Sequence, residues 1–241
     1  MLDTTEIDAR LREMRDHVDP RLLWDENCGG SARAMVVFVG PSPGADPEKA
    51  PGRFPLKRDF WTAYWNERYD RPLGWSPGFR ISFPPLVEAV FSAPYDTAGK
   101  LVARGNLDWA NNPNSADVPE AFMREGAPSV LRMIESCSAE LVLPMDKKSF
   151  LVLKTFMANS RFEIAECPVT RFYVQLNARA AARKAWCFRA TSPKGQSLVV
   201  VKLPQHPAKI LRADLATRCG RAVRIAALQI ASGQPVDVTE T

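Results

Sequence analysis

The sequence is short of the features that would settle its class at once. No apolar run approaches the roughly 20 residues a bilayer-spanning helix needs, so a membrane-embedded chain is not expected. The opening residues Met1-Leu2-Asp3-Thr4-Thr5-Glu6 lack the basic start and apolar stretch of a secretory leader. Five cysteines (Cys28, Cys137, Cys167, Cys187, Cys219) stand singly, none at C-x-x-C spacing. A zinc or iron–sulfur centre therefore has no local anchor, and the odd number suits buried or incidental thiols in a reducing compartment. Only two histidines occur, His17 and His206. Neither a G-x-G-x-x-G nor a G-x-x-x-x-G-K-[ST] loop is present. These absences argue against a dinucleotide-binding domain and a P-loop nucleotidase. No internal repeat or low-complexity tract is seen. The expectation is a cytoplasmic, monomeric protein with no metal and no cofactor.

What is present describes a folded domain. Apolar residues make up 46% of the 241 and charged ones 24%, values that support a packed core rather than disorder. The formal charge is +5, which is compatible with a polyanionic partner without requiring one. Four short runs rich in β-branched residues read as strands covered on both faces: 34–39, 100–103, 140–143 and 197–203. Helical patterning fills 119–136, 147–158 and about 211–230, the last with a break expected near Cys219-Gly220. Strands alternating with such helices predict a three-layer αβα domain around a central, mainly parallel four-stranded sheet. Residues 1–33 read as an N-terminal helix and loop packed on a domain spanning 34–231, with 232–241 a frayed tail. The stretches 41–55 and 70–85 read as long surface loops. The aromatic stretch from Phe60 to Tyr69 has the spacing of a helix face, which core packing explains.

Three segments follow predicted strands. The first is Gly40-Pro41-Ser42-Pro43-Gly44, a rigid, tightly turned loop, although a plain structural turn would use the same residues. The second is Gly105-Asn106-Leu107-Asp108, where Asn106 offers both a donor and an acceptor. The third is Leu203-Pro204-Gln205-His206-Pro207-Ala208-Lys209, in which two prolines flank the imidazole. His17 falls on the outer side of the N-terminal helix and is given no role.

In this order the three segments resemble the uracil-DNA glycosylase superfamily, with its Gly-x-x-Pro loop, its strand-end Asn and its His-Pro loop. Pro43-Gly44-Ala45-Asp46-Pro47-Glu48, followed by Gly52-Arg53-Phe54, is similar to a stretch of that family's iron–sulfur branch. Residues 139–143 resemble its third strand. The resemblance implies a glycosylase that excises uracil or a related deaminated base from single- or double-stranded DNA. An extruded base would then be bound by Gly40, Pro41, Gly44, Phe54 and Asn106, with Phe54 stacked upon it. His206 would donate a hydrogen bond to the departing base. Ile210 or Leu211 would fill the vacated stack, and Lys209 and Arg212 would lie near phosphates. The first motif departs from the family. Pro41 and Ser42 stand where a carboxylate or Asn often positions the attacking water, so Ser42 is a catalytic candidate only with a partner. Asp46 or Glu48 would be the substitutes. The branch's cysteine pattern is also missing, so no cluster is expected. The alternative is a protein of the same fold that binds nucleic acid or a nucleobase-like ligand without excision.

Overall fold

Four apolar runs do form four parallel strands, and the sheet around them is wider than expected. The computed structural model describes residues 23–25, 28–30, 34–41, 52–53, 77–108, 110–111, 118–137 and 139–241. In chain order the strands are β1 (Leu23–Asp25), β2 (Cys28–Gly30), β3 (Val36–Gly40), β4 (Gly52–Arg53), β5 (Val102–Asn106), β6 (Ala110–Asn111) and β7 (Leu141–Pro144). They continue with β8 (Glu163–Glu166), β9 (Val169–Gln175), β10 (Ala181–Ala182), β11 (Cys187–Thr191), β12 (Ser197–Val201) and β13 (Val236–Glu240). The helices are α1 (Pro77–Phe91), α2 (Tyr95–Ala98), α3 (Glu120–Cys137), α4 (Lys147–Asn159) and α5 (Ala213–Ala231).

The main sheet runs β1-β2-β5-β3-β7-β12-β11-β8. Its central strands β5, β3, β7 and β12 are mutually parallel, and antiparallel strands extend it on both flanks. The parallel strands are legible because they are buried on both faces: Ala34 to Val39 are all 0% exposed. Those beyond them are short or polar. Glu163-Ile164-Ala165-Glu166 carries no apolar run because it is an edge strand with mostly exposed side chains.

Side-chain alternation divides the core into two layers. Val36, Phe38, Leu141, Leu143, Val199 and Val201 face one way, against α1 and α5. Val37, Val39, Ala103, Val142, Leu198 and Val200 face the other, against α3 and α4. The result is a three-layer αβα architecture. A second small sheet, β10-β9-β13, packs Phe172, Val174, Val236 and Val238 into the α1/α5 layer.

Three expectations are corrected. Residues 77–91, whose first part (77–85) falls in the stretch read as loop, form α1 despite Pro84 and Pro85 inside it. The two missing amide donors are overridden by burial of Phe79, Phe83, Leu86, Val87, Val90 and Phe91. Helix α5 runs unbroken through Gly220, whose role is close approach: a Cβ there would stand 2.5 Å from the Leu86 carbonyl oxygen of α1. The last residues are not a frayed tail, since β13 pairs in parallel with β9 and buries Val236 and Val238. Residues 4–16 and 60–69 lie outside the described residues. No described helix is long and apolar enough to cross a membrane.

Candidate functional site

The four parallel strands end at one edge, and main-chain bonds carry the ladder beyond each of them. Gly40 and Asn106 are register partners. The Leu107 amide donates to the Gly40 carbonyl at 2.9 Å, that of Met145 to Val39 at 2.8 Å, and that of Leu203 to Pro144 at 2.9 Å. From β3 the chain moves to β5 on one side, then crosses back to β7 on the other. Such a reversal opens a crevice beyond the ends of the two strands it separates, here β3 and β7. Pro41 follows the first of these and Asp146 closely follows the second.

Asn106 is fully buried and lies on the same side of β5 as Arg104 and Val102. Arg104, only 7% exposed, holds its guanidinium 4.6 Å above the Phe79 ring of α1. A polar column thus rises through an otherwise apolar layer towards the strand ends. Buried groups of this kind are retained only with matching partners.

His206 reaches the same edge from β12, three inter-strand spacings (about 14 Å) from β5. It caps a single 3-10 turn, Pro207–Lys209, and its Nδ1 accepts the Ala208 amide at 3.1 Å. The turn is seated on the start of α1. Ser82 Oγ donates to the Pro207 carbonyl at 2.8 Å, and a Cβ on Gly78 would stand only 2.2 Å from the Ala208 oxygen. Since Nδ1 is an acceptor, the neutral ring carries its proton on Nε2. Burial pushes the His206 pKa down to about 4; Asp146 opposes that shift, while Arg104 and Lys209 reinforce it. The imidazole is therefore uncharged at neutral pH and presents one N–H donor.

Asp146 is the residue that sequence reasoning missed. It caps α4, accepting the Ser149 amide at 2.7 Å through Oδ1. Its field reaches both His206 and Lys202. An Asp between an apolar strand run and a helical pattern was the available signal. Chemically, the edge combines a neutral donor, a buried amide and a carboxylate.

Other expected residues divide. Gly40, Pro41, Asn106 and His206 come to the same sheet edge. Ser42, Gly44, Phe54, Asp46 and Glu48 lie outside the described residues, as does His17. Ile210 cannot act as a wedge, because it is 1% exposed within the α1/α5 layer. Its neighbour Leu211 is 67% exposed and remains available. Lys209 is exposed, whereas Arg212 grips Asp214 with bonds of 3.0 and 2.7 Å. That pairing lowers the Asp214 pKa and compensates much of the Arg212 charge. No group of metal-ligating side chains occurs among the described residues.

No family model matches the chain, and no curated protein matches it. The functional reading therefore stands on the site itself and on the motifs that reach it.

Proposed function

We propose that the protein is a DNA glycosylase that hydrolyses the N-glycosidic bond of uracil, or of a related deaminated base, in DNA. The supporting observation is His206: a neutral, fixed imidazole with Nε2–H as its donor, at the sheet edge that also carries Asn106. When the C1′–N1 bond breaks, its electron pair leaves with the base, and negative charge develops on the base oxygens. A preorganised neutral donor stabilises that charge without having to lose a proton of its own. The Asn106 amide has the donor and acceptor needed to read a pyrimidine edge. The sugar becomes oxocarbenium-like, and water adds at C1′ with loss of a proton. Pro41 has no side-chain group to orient that water. The Asp146 carboxylate, in the field of His206, takes that role and offsets the positive sugar.

The parallel strands, the crevice at β3 and β7 and the strand-end placement of the motifs suit a uracil-DNA-glycosylase-like fold. Pro41 also favours the second reading, a protein of this fold that holds a base without cutting.

Single-turnover cleavage of uracil-containing single- and double-stranded oligonucleotides, with undamaged DNA as control, separates the two. His206→Ala is expected to slow cleavage about 10²–10³-fold. Asp146→Asn is expected to slow it while leaving binding of the uncleaved strand intact. Binding without cleavage by the wild-type protein would select the second reading. Unchanged cleavage by His206→Ala would remove the leaving-group account.

A further inference from the structure

Charge is distributed unevenly along this chain. Between Cys167 and Ala213 there are nine lysines and arginines and no aspartate or glutamate. The remainder, with 23 basic against 27 acidic residues, is net −4, so this segment carries the whole positive excess of +5. Some of its cations are matched locally: Arg171 lies 3.7 Å from Asp237, Lys194 lies 3.6 Å from Glu135, and Arg212 holds Asp214. Arg179, Arg183 and Lys184 are different. They are exposed, and among the described residues no carboxylate lies in ion-pair range of them.

Two of these cations sit beside aromatic rings: Arg183 lines a groove with Tyr173, and Lys184 lies against Trp186. The Lys202 amide, one residue beyond β12, donates to the Trp186 carbonyl at 2.8 Å. That ties Trp186 to the edge where His206 emerges. The partly exposed indole has Lys184 Nζ 4.5 Å and Lys147 Nζ 5.0 Å from its ring centre, and Phe150 supports its edge at 5.8 Å. Lys147 directly follows Asp146. Just before Lys184 the chain forms β10, paired with the end of β9, and Arg218 of α5 holds the Gln175 carbonyl there at 2.8 Å. On the outer face of that small sheet a shallow groove is lined by Thr170, Arg171, Tyr173, Arg183 and Thr239.

We infer that this surface, from the groove at Tyr173 and Arg183 through Lys184 and Trp186 to His206, is a track for single-stranded nucleic acid. Rings alternating with unmatched cations suit a chain that alternates flat bases with phosphates. An acidic protein surface would use the cations and leave Tyr173 and Trp186 without a counterpart. A duplex keeps its bases stacked on each other and has no use for exposed rings. The inference rests on the proposed excision chemistry for its direction, delivering a strand toward His206.

The test measures binding of a fluorescent DNA 16-mer without uracil, by anisotropy, across a salt series. Duplex DNA, an RNA 16-mer and polyglutamate serve as comparison ligands. The triple variant Arg179→Ser, Arg183→Ser, Lys184→Ser is expected to reduce the slope of log K against log salt by about 2, three single-strand phosphate contacts. Trp186→Leu is expected to weaken binding about 5- to 100-fold with the slope unchanged. Tyr173→Ser, whose ring faces outward, gives the same readout without touching the core. An unchanged slope in the triple variant, tighter binding of duplex, or equal competition by polyglutamate overturns the track. Preference of the 16-mers over both supports it, and the DNA-to-RNA ratio assigns the sugar. Because the probe holds no uracil, the two proposals fail separately. Binding without any uracil cleavage removes the excision chemistry alone, and cleavage without this binding removes the track alone.

Discussion

At the scale of single residues, environment rather than residue type decides the chemistry. His206 differs from an ordinary histidine because partial burial desolvates it and a backbone amide occupies Nδ1. Its pKa falls from the usual 6.5 to about 4, so the unfolded chain takes up a proton before the folded one does. Stability from this group is therefore complete above pH 6.5 and is lost as pH falls towards 4. The loss is at most about 3 kcal/mol. Urea midpoints measured at pH 7.5 and pH 4.5 should differ more in the wild-type protein than in His206→Gln. The thiols of Cys167 and Cys187 diverge in the same way. Cys187 is buried and donates to Cys167, which raises its own pKa and lowers that of its half-exposed neighbour. Cys167 should be alkylated before Cys187, at a rate that mass spectrometry of partially modified protein can follow.

Among the elements, α1 carries more of the site than its composition advertises. Its prolines and glycine read as loop, yet the helix supplies Phe79 beneath Arg104 and Ser82 beneath Pro207. Gly78 lets the His206 turn sit directly on the helix start, and Gly220 lets α5 approach α1 just as closely. A methyl group at either place meets backbone oxygen, which cannot swing aside as a side chain can. Gly220→Ala should destabilise the fold by about 1–3 kcal/mol, read from chemical denaturation. Gly78→Ala should additionally displace the turn bearing His206. Its loss of activity at a temperature where the variant is still folded would therefore exceed that of Gly220→Ala. Equal activities would show that the turn re-seats without consequence.

Across the whole molecule, the small sheet and the large one share a single apolar layer. Phe172, Val174, Val236 and Val238 pack into the same core as Phe38, Leu143 and Val201. The end of the chain is held further by Gln229, whose side chain accepts the Asp237 amide at 2.9 Å and donates to its carbonyl at 3.0 Å. Removing residues 235–241 should lower the midpoint of one global transition, seen alike by circular dichroism and tryptophan fluorescence. Separate early loss of β9 and β10 would instead mark the small sheet as an independent unit.

The sequence by itself determined the parallel centre, since strands buried on both faces must be continuously apolar, and 34–39, 141–143 and 198–201 are. It also determined α3 and α4, whose single buried faces leave a helical period. Asn106 and His206 were legible because strand ends can be counted along the chain. Only tertiary structure decided the rest. The flanking strands β8 and β11 are fixed by pairing with neighbours, not by their own pattern. Helix α1 overcomes its prolines through burial. Ile210 and Leu211 are adjacent apolar residues that no local rule separates, yet packing sends one into the core and leaves the other in water. The partnership of Asp146 with His206 joins residues 60 positions apart, and it exists only because β7 and β12 lie side by side.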